Sequence, residues 1–288
     1  MISVKYNFHT TMFVTASPER KHSHKLIQRA GMLVKDNMRL SGEFVDKRID
    51  GGTKVDKLYI VIPAYNEEAN VDKVIKDWYP IVEKIGNGSK LVIIDDGSKD
   101  KTYSIMQQHA ANLPAFEPIT KPNGGHGATV LYGYHYAINA EADYVFQTDS
   151  DGQTLPEEFW PFWKQRSAYD MLIGHRRGRQ DGFSRIIVTK TLKFVLWLCF
   201  HVSITDANTP FRLMKATTLK EQLKQVPEGF NLSNVMISVI YARKKLSVKY
   251  IPVTFRPRQG GVNSINMKKI IRIGKQAFID FRRINKNL

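Results

Sequence analysis

Apolar positions along this chain follow two alternating rhythms. Leu58 to Ile62 reads LYIVI, an unbroken apolar run ended by Pro63, as expected of a strand buried on both faces. After it, Val71, Val74, Ile75, Trp78 and Val82 recur at helical spacing. The cycle then repeats. Leu91 to Ile94 (LVII) predicts a second strand, Ser98 to His109 a helix, Gly127 to Ala140 another, and Tyr144 to Gln147 (YVFQ) a third strand. Strands alternating with helices predict an α/β fold built on a doubly wound, mainly parallel sheet. Ligands of such sheets bind beyond the carboxyl ends of the strands. Polar clusters fall at those ends: Pro63-Ala64-Tyr65-Asn66-Glu67, Asp95-Asp96-Gly97-Ser98 and Thr148-Asp149-Ser150-Asp151-Gly152-Gln153.

The third cluster carries the sharpest chemistry. Asp149 and Asp151 are two positions apart on a chain leaving a strand, so an extended backbone turns both carboxylates to one side. Oxygen ligands in that arrangement suit a hard divalent cation, Mg2+ or Mn2+, and Gln153 can add a carbonyl oxygen or orient a metal-bound water. An Asp-rich turn is the plainer reading of the triplet alone; its place at the end of a buried strand favours the metal. Asp95 and Asp96 close the second strand, where a carboxylate can accept from a nucleobase N–H or ribose hydroxyls, or can cap the next helix. Asn123-Gly124-Gly125-His126-Gly127 allows close approach of backbone to ligand before a helix, but has neither a Walker loop's lysine nor a dinucleotide fingerprint's glycine spacing.

Charge narrows the partners. Lys and Arg number 43 against 27 Asp and Glu, a formal net charge of +16, so the partner is expected to be anionic: nucleic acid, a lipid headgroup surface or a phosphorylated substrate. No nucleic-acid recognition motif is present and the basic residues gather near apolar segments, so nucleic acid is not the expected partner. The apolar stretch from Phe194 to Thr205 (FVLWLCFHVSIT) is well short of the roughly 20 residues a bilayer-spanning helix requires. No apolar signal core is read near the N-terminus, and the single cysteine, Cys199, fits a reducing compartment. Residues 267 to 288 form an amphipathic pattern with Met267, Ile270, Ile271, Gly274, Phe278, Phe281 and Leu288 on one face. Lys268, Arg272, Lys275, Arg282, Arg283 and Lys286 occupy the other. That pattern fits a helix lying on an anionic bilayer and equally a helix docked on the core. Ile186 to Ile204 is similar, interrupted only by Lys190, Lys193 and His201. The expectation is a peripheral protein at the cytoplasmic face of a membrane, with room for a membrane-protein partner. Three regions follow: a basic N-terminal appendage over 1–56, with a short helix around His24 to Val34, a catalytic domain over 57–264, and the C-terminal amphipathic helix over 265–288.

IVIPAYNEE, VIIDDGSKD, KPNGGHGA and QTDSDGQ, in this order and spacing, resemble the family 2 glycosyltransferases of GT-A fold, over about Leu58 to Ser264. Within that family the likeness is strongest to dolichyl- and polyprenyl-phosphate sugar synthases. Their Asp-x-Asp-x-Gln is matched by Asp149, Asp151 and Gln153. An IGSR-like segment is matched by Ile173-Gly174-His175-Arg176, a basic helix by Arg185, Thr189 and Lys190, and a later turn by Asn208-Thr209-Pro210-Phe211-Arg212 after Asp206. The chain departs from the pattern at His175 and Pro210, where small residues are usual, at Thr189 in place of serine, and at Asn234 in place of an acidic residue. The resemblance implies that Pro63, Tyr65, Glu67, Ile94 and Asp96, with Asp95, Asn123 and Gly124 nearby, hold the nucleoside of a UDP- or GDP-sugar. It implies that Asp149, Asp151 and Gln153 hold Mg2+ or Mn2+, and that Arg176 and Arg212 bind phosphate oxygens.

The implied reaction is inverting transfer to a polyprenyl phosphate. The metal stabilises the departing diphosphate as a Lewis acid, while Arg185, Thr189 and Lys190 meet the acceptor. A phosphate monoester has its second pKa near about 6 and arrives ionised, so it needs no general base. The alternatives are a family 2 enzyme acting on a sugar hydroxyl, with Glu221 or Glu228 as available bases, and, more remotely, a nucleic-acid-binding module. A nucleotidyltransferase would want a Gly-rich basic loop after the first strand, which Pro63-Ala64-Tyr65 does not resemble.

Overall fold

The computed structural model describes residues 55–176, 183–256, 276 and 278–285, with only the backbone described over 183–189. The expected N-terminal appendage up to residue 54, including the helix at His24 to Val34, lies outside the described residues, as does most of 257–277.

Seven strands form one sheet. In chain order they are β1 Leu58–Ala64, β2 Lys90–Asp95, β3 Phe116–Thr120, β4 Tyr144–Gln147, β5 Met171–Arg176, β6 Arg212–Lys215 and β7 Val248–Val253. Their spatial order is β3-β2-β1-β4-β6-β5-β7, and only β6 runs against its neighbours β4 and β5. Helices α1 Val71–Ile85, α2 Thr102–Ala110 and α3 His126–Asn139 make the crossovers between the first four strands. Trp160–Gln165 (α4), Phe183–Phe200 (α5), Ala216–Leu223 (α6) and Ser233–Arg243 (α7) complete the set named here. The doubly wound, mainly parallel sheet expected from the sequence is the sheet observed.

Alternation along β1 explains the layering. Leu58, Ile60 and Ile62 pack with Val71, Ile75, Trp78 and Val82 of α1 on one side of the sheet. Tyr59 and Val61 pack with Val130, Tyr134 and Ala137 of α3 and with α7 on the other. Both faces are therefore covered, which is why the strand reads as a continuous apolar run. Gly133 lets α3 lie close: a Cβ there would stand 2.2 Å from Val61 Cγ1 and 2.7 Å from Ile94 Cδ1.

Two boundaries differ from the sequence pattern by more than one residue. β1 continues through Pro63 to Ala64, because Pro63 shares a side with Val61, whose carbonyl bonds Thr148 beyond the end of β4. The missing proline N–H costs no ladder bond there. α2 starts at Thr102 rather than Ser98, because the Asp100 carboxylate accepts from the Thr102 N–H at 3.0 Å and its hydroxyl at 2.6 Å. The described part of the C-terminal segment, 278–285, is helical and buries Phe281 and Ile284. The Phe281 ring meets Phe200 at 5.4 Å and Phe230 at 6.1 Å. In these turns the apolar face expected to lie on a bilayer is therefore used by the protein core.

Candidate active site

The polar clusters meet at the carboxyl ends of β1, β2 and β4. β4 has only four residues, and Phe146 anchors it, packing edge-on against Phe159 at 5.0 Å and Phe211 at 4.8 Å. Gln147, Thr148 and Ser150 are buried while Asp149 and Asp151 keep partial exposure, and both carboxylates act on the His126 imidazole. Asp149 Oδ1 accepts from Gln147 Nε2 at 3.2 Å and lies 3.0 Å from His126 Nε2. Asp151 Oδ1 accepts the backbone N–H of Gln153 at 3.1 Å. Gln153 in turn donates its side-chain amide to the Arg256 carbonyl at 2.9 Å, so its own carbonyl oxygen is not spent in that bond.

A divalent cation fits this donor set. Its oxygens come from one short segment at a partly open strand end, as suits a cation that shares its coordination with substrate phosphates and water. Among the described residues no three His, Cys, Asp or Glu side chains form a ready-made cage.

His126 lies in the loop Asn123-Gly124-Gly125-His126-Gly127, and its spacing in the sequence carries no metal or catalytic signal. Desolvation acts to lower its pKa, but Asp149, Asp151 and Asp96 outweigh it and hold the imidazole above its ordinary value. Only the fold brings β3's following loop to β4's end.

Asp96 is 3% exposed, and its oxygens accept the N–H groups of Gly124 at 2.9 Å and Gly125 at 2.8 Å. It also pairs with the Lys121 ammonium, and its backbone carbonyl takes the Asn123 amide at 2.9 Å. Gly125 has φ of 87°, a conformation a side chain would strain. Burial acts to raise the Asp96 pKa, but Lys121, Gly124, Thr129 and Gly125 together pull it below the usual carboxylate value. Asp95 binds its own turn, accepting from Ser98 N–H at 3.1 Å and the Thr120 hydroxyl at 2.8 Å. Of the β1 cluster, Tyr65 is exposed, while Pro63 is buried and Glu67 accepts the Asn70 amide at 2.6 Å.

Two expected ligands occupy other roles. Ile94 is fully buried, with its side chain under α3, so it is a core residue rather than a wall of the cleft. Arg212 is also fully buried. Its Nε donates to Thr209 O at 3.1 Å, Nη1 to Asn234 O at 3.0 Å and Ser238 Oγ at 3.5 Å, and Nη2 to Thr209 O at 2.7 Å and Ala207 O at 3.3 Å. A guanidinium has five N–H donors, and here each has an acceptor inside the protein. Arg212 is a buried strut, not a phosphate ligand. Asn234, at the position where an acid was expected, supplies a carbonyl to that strut and receives the Tyr134 hydroxyl at 3.3 Å. Arg176 stacks on the Phe255 ring at 4.0 Å. Lys190 is exposed on α5, whereas the side chains of Arg185 and Thr189 are outside the described set.

The glycosyl transferase family 2 profile matches residues 59–225, more than half of the chain. The chain belongs to that family. An undecaprenyl-phosphate 4-deoxy-4-formamido-L-arabinose transferase of Pectobacterium atrosepticum is 23% identical over 76% of this family 2 chain, which spans 65% of that relative's length. A UDP-N-acetylglucosamine–dolichyl-phosphate N-acetylglucosaminyltransferase of Methanococcus voltae is 26% identical, covering 69% of this chain and 85% of the relative. Among solved structures, glucosyl-3-phosphoglycerate synthase of Mycobacterium tuberculosis, in complex with Mn2+ and UDP-glucose, superposes with a TM-score of 0.56 at 16% identity. The match covers 80% of this chain and 79% of that one, and supports the GT-A fold.

Proposed function

We propose that this glycosyltransferase moves a sugar from a UDP- or GDP-sugar to a polyprenyl phosphate at an anionic membrane surface, with help from Mg2+ or Mn2+. The observation that carries the lipid side is on α5. Phe194, Trp197 and Leu198 are 60%, 56% and 47% exposed on one face, flanked by exposed Lys190 and Lys193. Aromatic and aliphatic side chains ringed by lysines match the chemistry of an anionic interface. No helix among the described residues is long and apolar enough to cross a bilayer, so contact through this face would be interfacial. The relatives named for undecaprenyl phosphate and dolichyl phosphate support the same acceptor class.

In this reading the nucleoside is held by Tyr65, Glu67 and Pro63 on β1's end and by Asp95, Asp96, Asn123 and Gly124 opposite. Asp149, Asp151 and the Gln153 carbonyl hold the cation, which when bound supplies a Lewis acid to the departing diphosphate. Arg176 adds a charge-assisted contact to the same phosphates. Arg185, Thr189 and Lys190 receive the acceptor phosphate, which attacks C1 of the sugar without a general base. Residues 57–264 are the catalytic region, with 1–56 appended, and the protein sits at the cytoplasmic face.

The test is a screen of UDP- and GDP-sugars with a polyprenyl phosphate, the corresponding alcohol and free sugars as acceptors, reading labelled product in organic solvent. Transfer to the lipid phosphate alone, abolished by chelator and by Asp151→Asn, is expected. Glycosylation of hydroxyl acceptors with the lipid phosphate ignored would replace this reading by a polysaccharide-building transferase.

A further inference from the structure

We propose that Asn234 is a positioning residue, acting through Tyr134 and Gln147 in a one-way chain of hydrogen bonds that sets the rotation of the Asp149 carboxylate. This rests on the reading above of Asp149 as a cation ligand.

The links are buried and within reach of one another. Gln147, on β4, donates its Nε2–H to Asp149 Oδ1 at 3.2 Å. The Tyr134 hydroxyl, on α3, stands 3.4 Å from Gln147 Oε1 and 3.3 Å from Asn234 Oδ1, on α7. Gln147 and Tyr134 are fully buried and Asn234 nearly so, which keeps bulk water from competing for these groups. At the far end, the buried Arg212 guanidinium donates to the Asn234 carbonyl at 3.0 Å and fixes that residue's backbone. At the near end, His126 Nε2 meets the same Asp149 oxygen at 3.0 Å, so two contacts on Oδ1 hold the carboxylate against turning.

Proton counting gives the chain its direction. A phenol has one hydrogen and cannot donate to two carbonyl oxygens at once. Burial raises the Tyr134 pKa, so that hydrogen is kept. If it goes to Asn234, the buried Gln147 oxygen is left without a donor, a costly state for a carbonyl out of water. A half turn of the Asn234 amide about Cβ–Cγ keeps its outline and removes the conflict. Asn234 Nδ2–H then donates to Tyr134, Tyr134 to Gln147, and Gln147 to Asp149. An ionised acid at position 234 could only accept, so Tyr134 would turn to it and Gln147 would lose its donor. The amide of Asn234 is therefore what points the chain at Asp149.

The test uses the full-length protein with Tyr134→Phe, Asn234→Asp and the two combined. Tyr134→Phe removes only a hydroxyl. In Asn234→Asp the new carboxylate would share the surroundings of the Arg212 guanidinium, whose charge is felt at Tyr134, so urea midpoints should show both variants folded. Calorimetry with Mn2+ in the presence of UDP should find affinity lowered about tenfold by either single change. The combined variant should be no weaker than Tyr134→Phe, because its chain is already cut. Without metal, nuclear magnetic resonance reads the Gln147 side-chain amide protons, assigned by their loss in Gln147→Leu. They should shift, and exchange faster with water, in each variant. Additive losses in the combined variant would overturn the chain, as would wild-type Mn2+ affinity in either single variant or Gln147 signals that do not move. Failure of wild type to bind Mn2+ with UDP overturns the metal-assisted reading instead, and the Gln147 signals alone then decide the chain.

Discussion

Removing the Asp96 carboxylate would strand the Gly124 and Gly125 N–H groups and leave the Lys121 ammonium with the Pro122 carbonyl. Buried donors left without acceptors are costly, and Asp96→Ala should lower stability by about 2–4 kcal/mol at neutral pH. The pH dependence has a definite sign. The folded-state pKa lies below the usual value, so the contribution is complete above the unfolded carboxyl pKa of about 3.9 and is lost as pH falls through the lower folded one. Urea midpoints of wild type and variant should therefore differ at pH 7 and converge in strong acid. The same variant should bind donor nucleotide poorly, because its loop is the floor of the expected nucleoside pocket. Equal midpoints at pH 7 would show that the loop is held by something else.

On α5 the chain spends apolar residues on water. Leu196, Cys199 and Phe200 face the core, and on the other side Phe194 and Trp197 stand with ring centroids 6.1 Å apart. Burying each large side chain is worth about 1.5–3 kcal/mol, so Phe194→Ser with Trp197→Ser should weaken binding to anionic vesicles by at least tenfold. Their exposure means that the unfolding midpoint should hardly move. Raising the salt should weaken wild type further, through Lys190 and Lys193. Unchanged sedimentation of the double variant with vesicles would remove α5 as the contact. The described turns of 278–285 should matter less, because Phe281 and Ile284 already face the protein.

Across the whole molecule, Arg212 joins the reversed strand β6 to α7 and to the turn at residues 207–209. Arg212→Leu would leave the Ala207, Thr209 and Asn234 carbonyls without that donor, and should cost about 3 kcal/mol or more. The expected signature is a large fall in the unfolding midpoint, with activity lost alongside it. A variant that unfolds like wild type but no longer turns over would return Arg212 to the phosphates and refute its structural role.

Periodicity by itself determined the α/β class, because β1, β2 and β4 are buried on both faces and α1 alternates dry and wet positions. The Asp-x-Asp-x-Gln spacing was legible as a motif at a strand end, but the backbone bends at Ser150, Asp151 and Gly152 rather than staying extended. Strands β5, β6 and β7 were not marked, and the reversal of β6 is a matter of which neighbours it meets rather than of its own residues. Arg212 reads like any phosphate-binding arginine until the surrounding carbonyls are seen to use all its donors. Ile94 sits in a motif, but the pleat turns its side chain under α3. His126 shows the converse, since 23 residues of sequence separate it from Asp149 and only packing of α3 beside β4 brings their polar atoms to 3.0 Å. Local order follows from neighbours along the chain, whereas a side chain's role depends on which distant groups the fold sets against it.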